Sequence, residues 1–391
     1  MKNILAYLFV LTIILVAVTY SYPSETRIYT LGSESNLLID DTNIYNYPSS
    51  LEGFANRIIV EKGFYPYSDS LANLAFLKNL GKIGNVGFLF NKNDIPTFPK
   101  TSNQTIISQP YALPGIIYSV RVKDALMLGI SGEYGLSANN DDKEGTNNDI
   151  TNQSSVYSGT FGLSYILGEV NTIELSVKIN GYRFTFTQGN NFSFKNDNNL
   201  STVFNARFLF FLNDYLTFIP FLKFSTTDLS SIESIFGQIT PTSVKRLATE
   251  RKAGLGINFV PSEENRIIIG AIYNNNIYEQ TITPGGEDTT ITNNYIPELV
   301  GGIESDITSW FTLRAGFTKS FHTRRIQASN GITDVITDKD SPFSLSTGCG
   351  IKLGSIVIDG VLNKDFPFAC GYLLSGIQQP LFTRISAAYL F

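Results

Sequence analysis

From residue 83 onward the chain alternates apolar side chains with small or polar ones, in segments of about 9 to 14 residues, the period-two signature of strands with two unlike faces. Leu200, Thr202, Phe204, Ala206, Phe208, Phe210 and Leu212 line one face of such a segment; Ser201, Asn205 and Arg207 share the other with Val203, Leu209 and Phe211. The same alternation runs through Leu216–Phe224, Arg251–Phe259 and Trp310–Thr318. Fourteen segments are centred near residues 87, 119, 130, 160, 178, 206, 220, 255, 271, 299, 314, 348, 360 and 387. Residues 56–63 and 71–79 supply two more strands, or Asp69 and Ser70 cap a short helix over Leu71, Leu74 and Leu77. The total is 14 or 16, with a lean to 16, and either even number leaves both chain ends on one side.

A large soluble β-sandwich or propeller also alternates. Its strands, however, run about 5 to 6 residues, and the polar face here is rich in glycine. The connections also alternate in length. Short ones fall near Asp124, Gly168–Asn171, Asn213–Asp214, Pro261–Asn265, Asp306 and Gly354. Long polar ones fall at about 91–114, 135–153, 185–199, 228–249, 279–293, 321–342 and 365–381. Short turns at one rim and long loops at the other are the pattern of a transmembrane β-barrel. Lipid offers the backbone no partners, so spanning strands must close on themselves and need about 9 to 11 residues each. The expected fold is all-β, a transmembrane antiparallel up-and-down barrel of 14 to 16 strands with a short N-terminal plug or hatch.

The ends agree with this reading. Lys2 precedes a continuous apolar stretch from Ile4 to Val18, 15 residues long, and then polar Thr19, Tyr20 and Ser21. That is a secretory signal peptide, too short for the roughly 20 residues a spanning helix needs. At the other end Phe391, Tyr389, Ala387 and Ile385 share one face of the last segment. This resembles the C-terminal signal of bacterial outer-membrane barrels, and the resemblance implies recognition of Ile385, Tyr389 and Phe391 by the barrel-assembly machinery. The expected divisions are 1–21 signal peptide, 22–55 hatch-like segment and 56–391 barrel, placed in the outer membrane of a Gram-negative bacterium.

Composition excludes several classes. Only 16% of the 391 residues are charged, and the net charge of −5 provides no basic surface for nucleic acid. One histidine and two cysteines leave no clustered metal or haem ligands. His322, in the expected loop Ser320–Arg325, reads as a solvated residue rather than a general base, and no P-loop, HExxH or strand-embedded GxGxxG occurs. No enzyme activity, cofactor or metal is expected; the acidic tip Asp141–Asp149 reads as a solvated loop before a calcium site. Cys349, on the outward face, and Cys370, in the last long loop, are the only thiols, and a disulfide between them is one of two open readings.

Between signal and barrel stands Leu37-Leu-Ile-Asp-Asp-Thr-Asn-Ile-Tyr-Asn-Tyr-Pro-Ser-Ser-Leu51. This resembles the segment before the first strand in long-chain fatty acid transporter-type barrels, where an Asp-rich turn leads to an Asn-Pro-Ala-Gly-Leu-like motif. Pro48 and Leu51 match; the family's Asn and Ala are replaced by Tyr47 and Ser49. The resemblance implies a luminal hatch built on Asp40, Asp41, Asn43, Tyr47, Pro48 and Leu51. An ordinary Asp-Asp-Thr-Asn turn with a proline bend is the alternative.

Parity directs Arg121, Lys123, Glu133, Glu174, Lys178, Arg207, Lys223, Lys252, Glu298, Arg314, Lys352, Asp359 and Arg384 into the lumen, nine bases against four acids. A hydrated wall of that sign would favour anions. Val203, Leu209, Phe211, Ile219, Phe221, Ile268 and Ile272 share that face, and an apolar and cationic lining suits an amphiphile pathway. The alternative is that the charges pair with one another and with the plug. The leading expectation is therefore a barrel that passes or binds hydrophobic or amphiphilic small molecules through a plugged lumen, with outer-membrane lipid around it. A structural or secretion-accessory barrel binding a protein partner through its long loops is the alternative, and a general diffusion porin the second.

Overall fold

The computed structural model describes residues 25–32, 34–63, 73–90, 107–108, 110, 113–114, 115–141, 149–189, 192–196, 199–235, 240–284, 286, 288–329, 333–362 and 381–391. The signal peptide, Cys370, Leu71 with its capping pair Asp69 and Ser70, and most of the acidic tip lie outside them.

The alternating segments form β1 (Arg57–Gly63), β2 (Asn73–Asn79), β3 (Asn85–Phe90), β4 (Gly115–Lys123), β5 (Leu126–Asp141), β6 (Ile150–Leu167) and β7 (Asn171–Gln188). There follow β8 (Phe192–Lys195), β9 (Asn199–Asn213), β10 (Leu216–Asp228), β11 (Ser231–Ile235), β12 (Thr242–Ser262), β13 (Asn265–Thr283) and β14 (Asp288–Thr308). The last are β15 (Phe311–Ser329), β16 (Thr333–Asp340), β17 (Phe343–Leu353), β18 (Ile356–Leu362) and β19 (Phe382–Leu390). Every pairing is antiparallel, and β1 bonds both to β2 and to β19, with Val60 opposite Leu74 on one side and Ala387 on the other. The sheet is therefore closed, and no edge is left to present unpaired backbone to lipid.

Sixteen of these strands make the wall. The other three, β8, β11 and β16, pair only with the loop-end portions of β7, β12 and β15 or with each other. Residues 73–79 are strand β2, so the helix alternative there does not hold. Much of what the sequence marks as long loop is strand continuing past the membrane: β12 and β14 each run 21 residues. Polar composition cannot separate a loop from a strand whose two faces both meet water. His322 is one consequence. It lies in β15, paired with Tyr295 of β14 and Asp340 of β16, rather than in a loop.

The outward face carries Ile130, Phe161, Val177, Phe204, Leu222, Leu255, Ile269, Ile303 and Leu313, all exposed. Exposed aromatic residues bracket this band: Tyr165, Tyr215, Trp310, Tyr389 and Phe391 at the turn end, and Tyr134, Tyr157, Tyr273 and Phe321 toward the loops. An apolar outer belt between two aromatic girdles is what a bilayer selects on a barrel. Phe391 seals the closing seam, stacked on Tyr389 at 6.1 Å and on Phe76 at 5.8 Å.

Candidate functional site: the occupied lumen

Residues 25–54 fold as short helical pieces, Glu25–Thr30, Ser35–Leu37, Asn43–Asn46 and Pro48–Phe54. Each is too short to be stable alone, and each lies against the inner wall. Pro48–Phe54 packs on β2 to β6, Ser35–Leu37 on β10 and β12, and Glu25–Thr30 on β15 and β17 to β19. The segment thus reaches most of the way around the circumference, in the half of the lumen nearest the short turns.

The glycines of the inward face explain how it fits. A Cβ on Gly129 would overlap the backbone of Pro48 and Ser49, and one on Gly162 would sit 2.7 Å from Pro48 Cδ. Leu37 occupies the space above Gly256 and Gly270, and Leu31 and Gly32 that above Gly302 and Gly316. Side chains at these wall positions would fill the sockets into which the segment sits. Apolar contacts complete the seat: Ile28, Leu31, Leu37 and Leu38 pack on Phe221, Ile268, Ile272 and Val300. Ile44, Tyr45 and Leu51 pack on Ile59, Leu77, Leu89 and Ile117.

Charge fixes the register of the segment. Arg27 donates to Asp40 within the segment and bidentately to Glu304 of the wall, at 2.8 Å through both Nε and Nη2. Glu61 of β1 accepts from the Glu25 amide at 2.9 Å and the Thr26 amide at 2.8 Å, the first donors of a helical turn, while Arg384 bridges Glu25 at 2.6 Å and Glu61 at 3.4 Å. Arg207, only 3% exposed, pairs with Glu174 beside it on the wall. Its remaining donors reach the Leu38 carbonyl at 2.8 Å and the Asn43 side chain at 3.0 Å, and its guanidinium lies 4.8 Å from the Tyr47 ring centroid. Lys252 bonds Glu34. Burial alone would raise the Glu34 carboxyl, but the Lys252 ammonium and the Asn36 donors hold it below its ordinary value. Asp40 is likewise held down against the effect of burial, chiefly by Arg27.

Each residue singled out in the hatch-like stretch is buried here. Asp40 meets Arg27, Asp41 lies 3.6 Å from Arg57, Asn43 accepts from Arg207, Tyr47 lies under that guanidinium, Pro48 fills the Gly129 and Gly162 socket, and Leu51 is in the apolar seat. Ser49 Oγ lies 2.7 Å from Ser164 Oγ of β6.

Of the two readings of the charged wall, the geometry matches the one in which the charges pair with one another and with the segment. Lys178 lies 3.8 Å from Glu133, Lys223 2.7 Å from Glu250, Lys352 2.5 Å from Asp306, and Arg121 3.1 Å from Glu52 of the segment. Arg314 bridges Glu304 and Asp359, and half-buried Glu298 lies near Lys252. Lys123 is exposed at the turn rim. Ion pairing inside a barrel removes the excess field on which anion selectivity depends. Of the luminal apolar residues, Phe221, Ile268 and Ile272 are covered by the segment, and Val203 lines a cavity toward the loops. Sequence reasoning missed Glu61, Glu304 and Glu250, all at inward positions of their strands, and missed the socket glycines although it noted their abundance.

Above the segment, toward the loops, a cavity of about 500 Å³ remains. Tyr29, Ser35, Thr42, Tyr45 and Asn46 form its floor, and Lys178, Asn180, Tyr182, Asn205, Lys223, Ser225 and Glu250 its sides. Higher still, Ile107, Leu113, Val156, Phe184, Phe186, Phe192 and Phe194 form a buried apolar cluster that shares Tyr182 with the cavity.

No protein-family model matches the chain. No curated protein matches it either. Among solved structures, a Pseudomonas aeruginosa FadL homologue aligns over 95% of this chain and 99% of its own at 11% identity, with a TM-score of 0.47. The Pseudomonas putida toluene transporter TodX aligns over 96% and 100% at 11% identity, TM-score 0.41. The alcaligin outer-membrane receptor FauA of Bordetella pertussis aligns over 78% and 59% at 11% identity, TM-score 0.46. By its closed sheet, apolar belt and girdles, the chain is a sixteen-stranded β-barrel of the outer-membrane type.

Proposed function

We propose that this barrel takes up hydrophobic or amphiphilic small molecules through a lumen that residues 25–54 gate. The observation that carries the reading is the layering along the barrel axis. An apolar cluster lies under the loops, a polar cavity below it, and a segment docked by hydrogen bonds and ion pairs fills the turn-side half. An amphiphile entering from the loop side meets surfaces matched to its two parts in succession. The docked segment is the obstacle to its onward passage. The hydrogen bonds and ion pairs of the docking are exchanged for bonds to water when the segment leaves, so that part of its hold costs less to undo than the apolar seat beside it. The names of the similar structures, a FadL homologue and a toluene transporter, are compatible with cargo of this kind.

The test is reconstitution of the full chain in liposomes, measuring uptake of a labelled medium-chain amphiphile alongside ionic conductance. The proposal predicts saturable uptake with little steady conductance. Large steady conductance without saturable uptake would favour a general diffusion porin. A scaffold for a protein partner is the second reading, favoured by the tower of strand that β8, β11 and β16 add at the loop end. It predicts neither uptake nor conductance.

A further inference from the structure

The cavity above the segment has a chemistry of its own. Its two ammonium groups both have carboxylate neighbours, Lys223 with Glu250 at 2.7 Å and Lys178 with Glu133 at 3.8 Å, so the site carries no excess charge with which to select an ion. Glu25, the remaining charged residue of the lining, is bridged by Arg384 at 2.6 Å, and the rest is uncharged: Ile28, Val203, the amides of Asn46, Asn180 and Asn205, the hydroxyls of Ser35, Thr42, Ser225 and Thr227, and three tyrosines. Thr42 is 5% exposed, and its Oγ1 has no hydrogen-bond partner among the described residues. A buried hydroxyl on a cavity floor is costly unless something in the cavity bonds it. Tyr29, 40% exposed, has one ring face under the Arg384 guanidinium at 4.2 Å from the centroid.

Amides and hydroxyls that both donate and accept, interleaved with aromatic rings, match a ligand that presents many hydroxyls and apolar C–H faces without charge. A carboxylate would have to displace Glu250 or Glu133 from its lysine. A hydrocarbon would leave the Thr42 hydroxyl unpaired. We propose that this cavity binds an uncharged, hydroxyl-rich group, the sugar or polyol head of an amphiphile. The inference rests on the amphiphile reading above for the tail, and on the cavity alone for the head.

The experiment uses the full chain in phosphatidylcholine nanodiscs, with empty discs as control, and calorimetric titration of four probes: hexyl maltoside, hexanoate, hexyltrimethylammonium and free maltose. The proposal expects hexyl maltoside to bind at least about fivefold tighter than either charged hexyl probe, a margin of one or two hydrogen bonds. Asn180→Leu and, separately, Ser225→Leu should each weaken the maltoside by a similar factor, with folding checked by heat-modifiable gel mobility. Asn180 on β7 and Ser225 on β10 line the cavity from separate strands, so a variant that loses its fold leaves the other to be read. Tighter binding of hexanoate, or maltoside binding indifferent to both folded variants, overturns the head-group assignment and leaves the amphiphile reading standing. Maltose binding as tightly as hexyl maltoside supports the cavity's chemistry and removes the amphiphile. No binding of any probe overturns both.

Discussion

The two halves of the lumen are built from the same kind of wall, yet they do opposite things with it. In the turn-side half, inward glycines are sockets and inward charges bond the N-terminal segment: Gly129 and Gly162 receive Pro48, and Arg207 and Glu304 clamp Leu38 and Arg27. In the loop-side half the wall charges pair with each other, and amides and hydroxyls are left facing space. Depth along the strand, rather than residue type, decides the role. Buried Arg207 in the lower half is a structural bolt, and half-exposed Lys223, two residues further toward the loops on the neighbouring strand, lines the cavity.

Substitutions at matched positions in the two halves should separate these roles. Arg207→Ala strands Glu174 in a buried site and removes donors from the Leu38 carbonyl and Asn43, so it should cost about 3–5 kcal/mol, read as a lower midpoint of urea unfolding in detergent. Gly129→Leu collides with the backbone of the segment, not the wall. A cost of about 1–3 kcal/mol would shift the docked population about 5–150-fold, seen as raised conductance in a barrel that still resists unfolding. Acid should act on the same half. Asp40 and Glu34 are held below their ordinary values of 3.8 and 4.5, so their contribution to docking is complete above those values and is lost as the pH falls through the depressed ones. The share of the docking that Asp40 and Glu34 supply should therefore hold from neutral pH to about pH 4.5 and be lost, with a rise in conductance, only in stronger acid, and Asp40→Asn or Glu34→Gln should abolish that acid-side rise. The smallest effect belongs to the upper half. Lys223→Ala breaks an ion pair whose side chains are 31% and 26% exposed, and should change stability by no more than about 1 kcal/mol.

Strand alternation was readable because one face of each strand meets lipid, and a period of two is imposed residue by residue; Leu200 to Leu212 shows this directly. It stopped being readable where that constraint ends. Past the loop-side girdle both faces of β14 and β15 meet water, so the strand around His322 reads as loop. The inward direction of Arg207, Lys252 and Arg314 was also legible, but their partners were not. Arg27 and Glu304 lie 277 positions apart, and Lys252 and Glu34 lie 218 apart, and no local pattern encodes such pairs. A usable signal was present in the glycines. Gly129, Gly162, Gly256, Gly270, Gly302 and Gly316 fall on wall positions where a side chain would cost a strand nothing, so their absence of side chains points to something packed inside.

The central claim is that residues 25–54 must move for cargo to pass. Ser49 Oγ and Ser164 Oγ are 2.7 Å apart, close enough for a cysteine pair at these positions to join the segment to β6. With Cys349 and Cys370 changed to Ser, the double variant Ser49→Cys, Ser164→Cys should lose amphiphile uptake when oxidised and regain it on reduction, with the barrel folded in both states. Uptake at the full rate while the disulfide is intact would contradict the account.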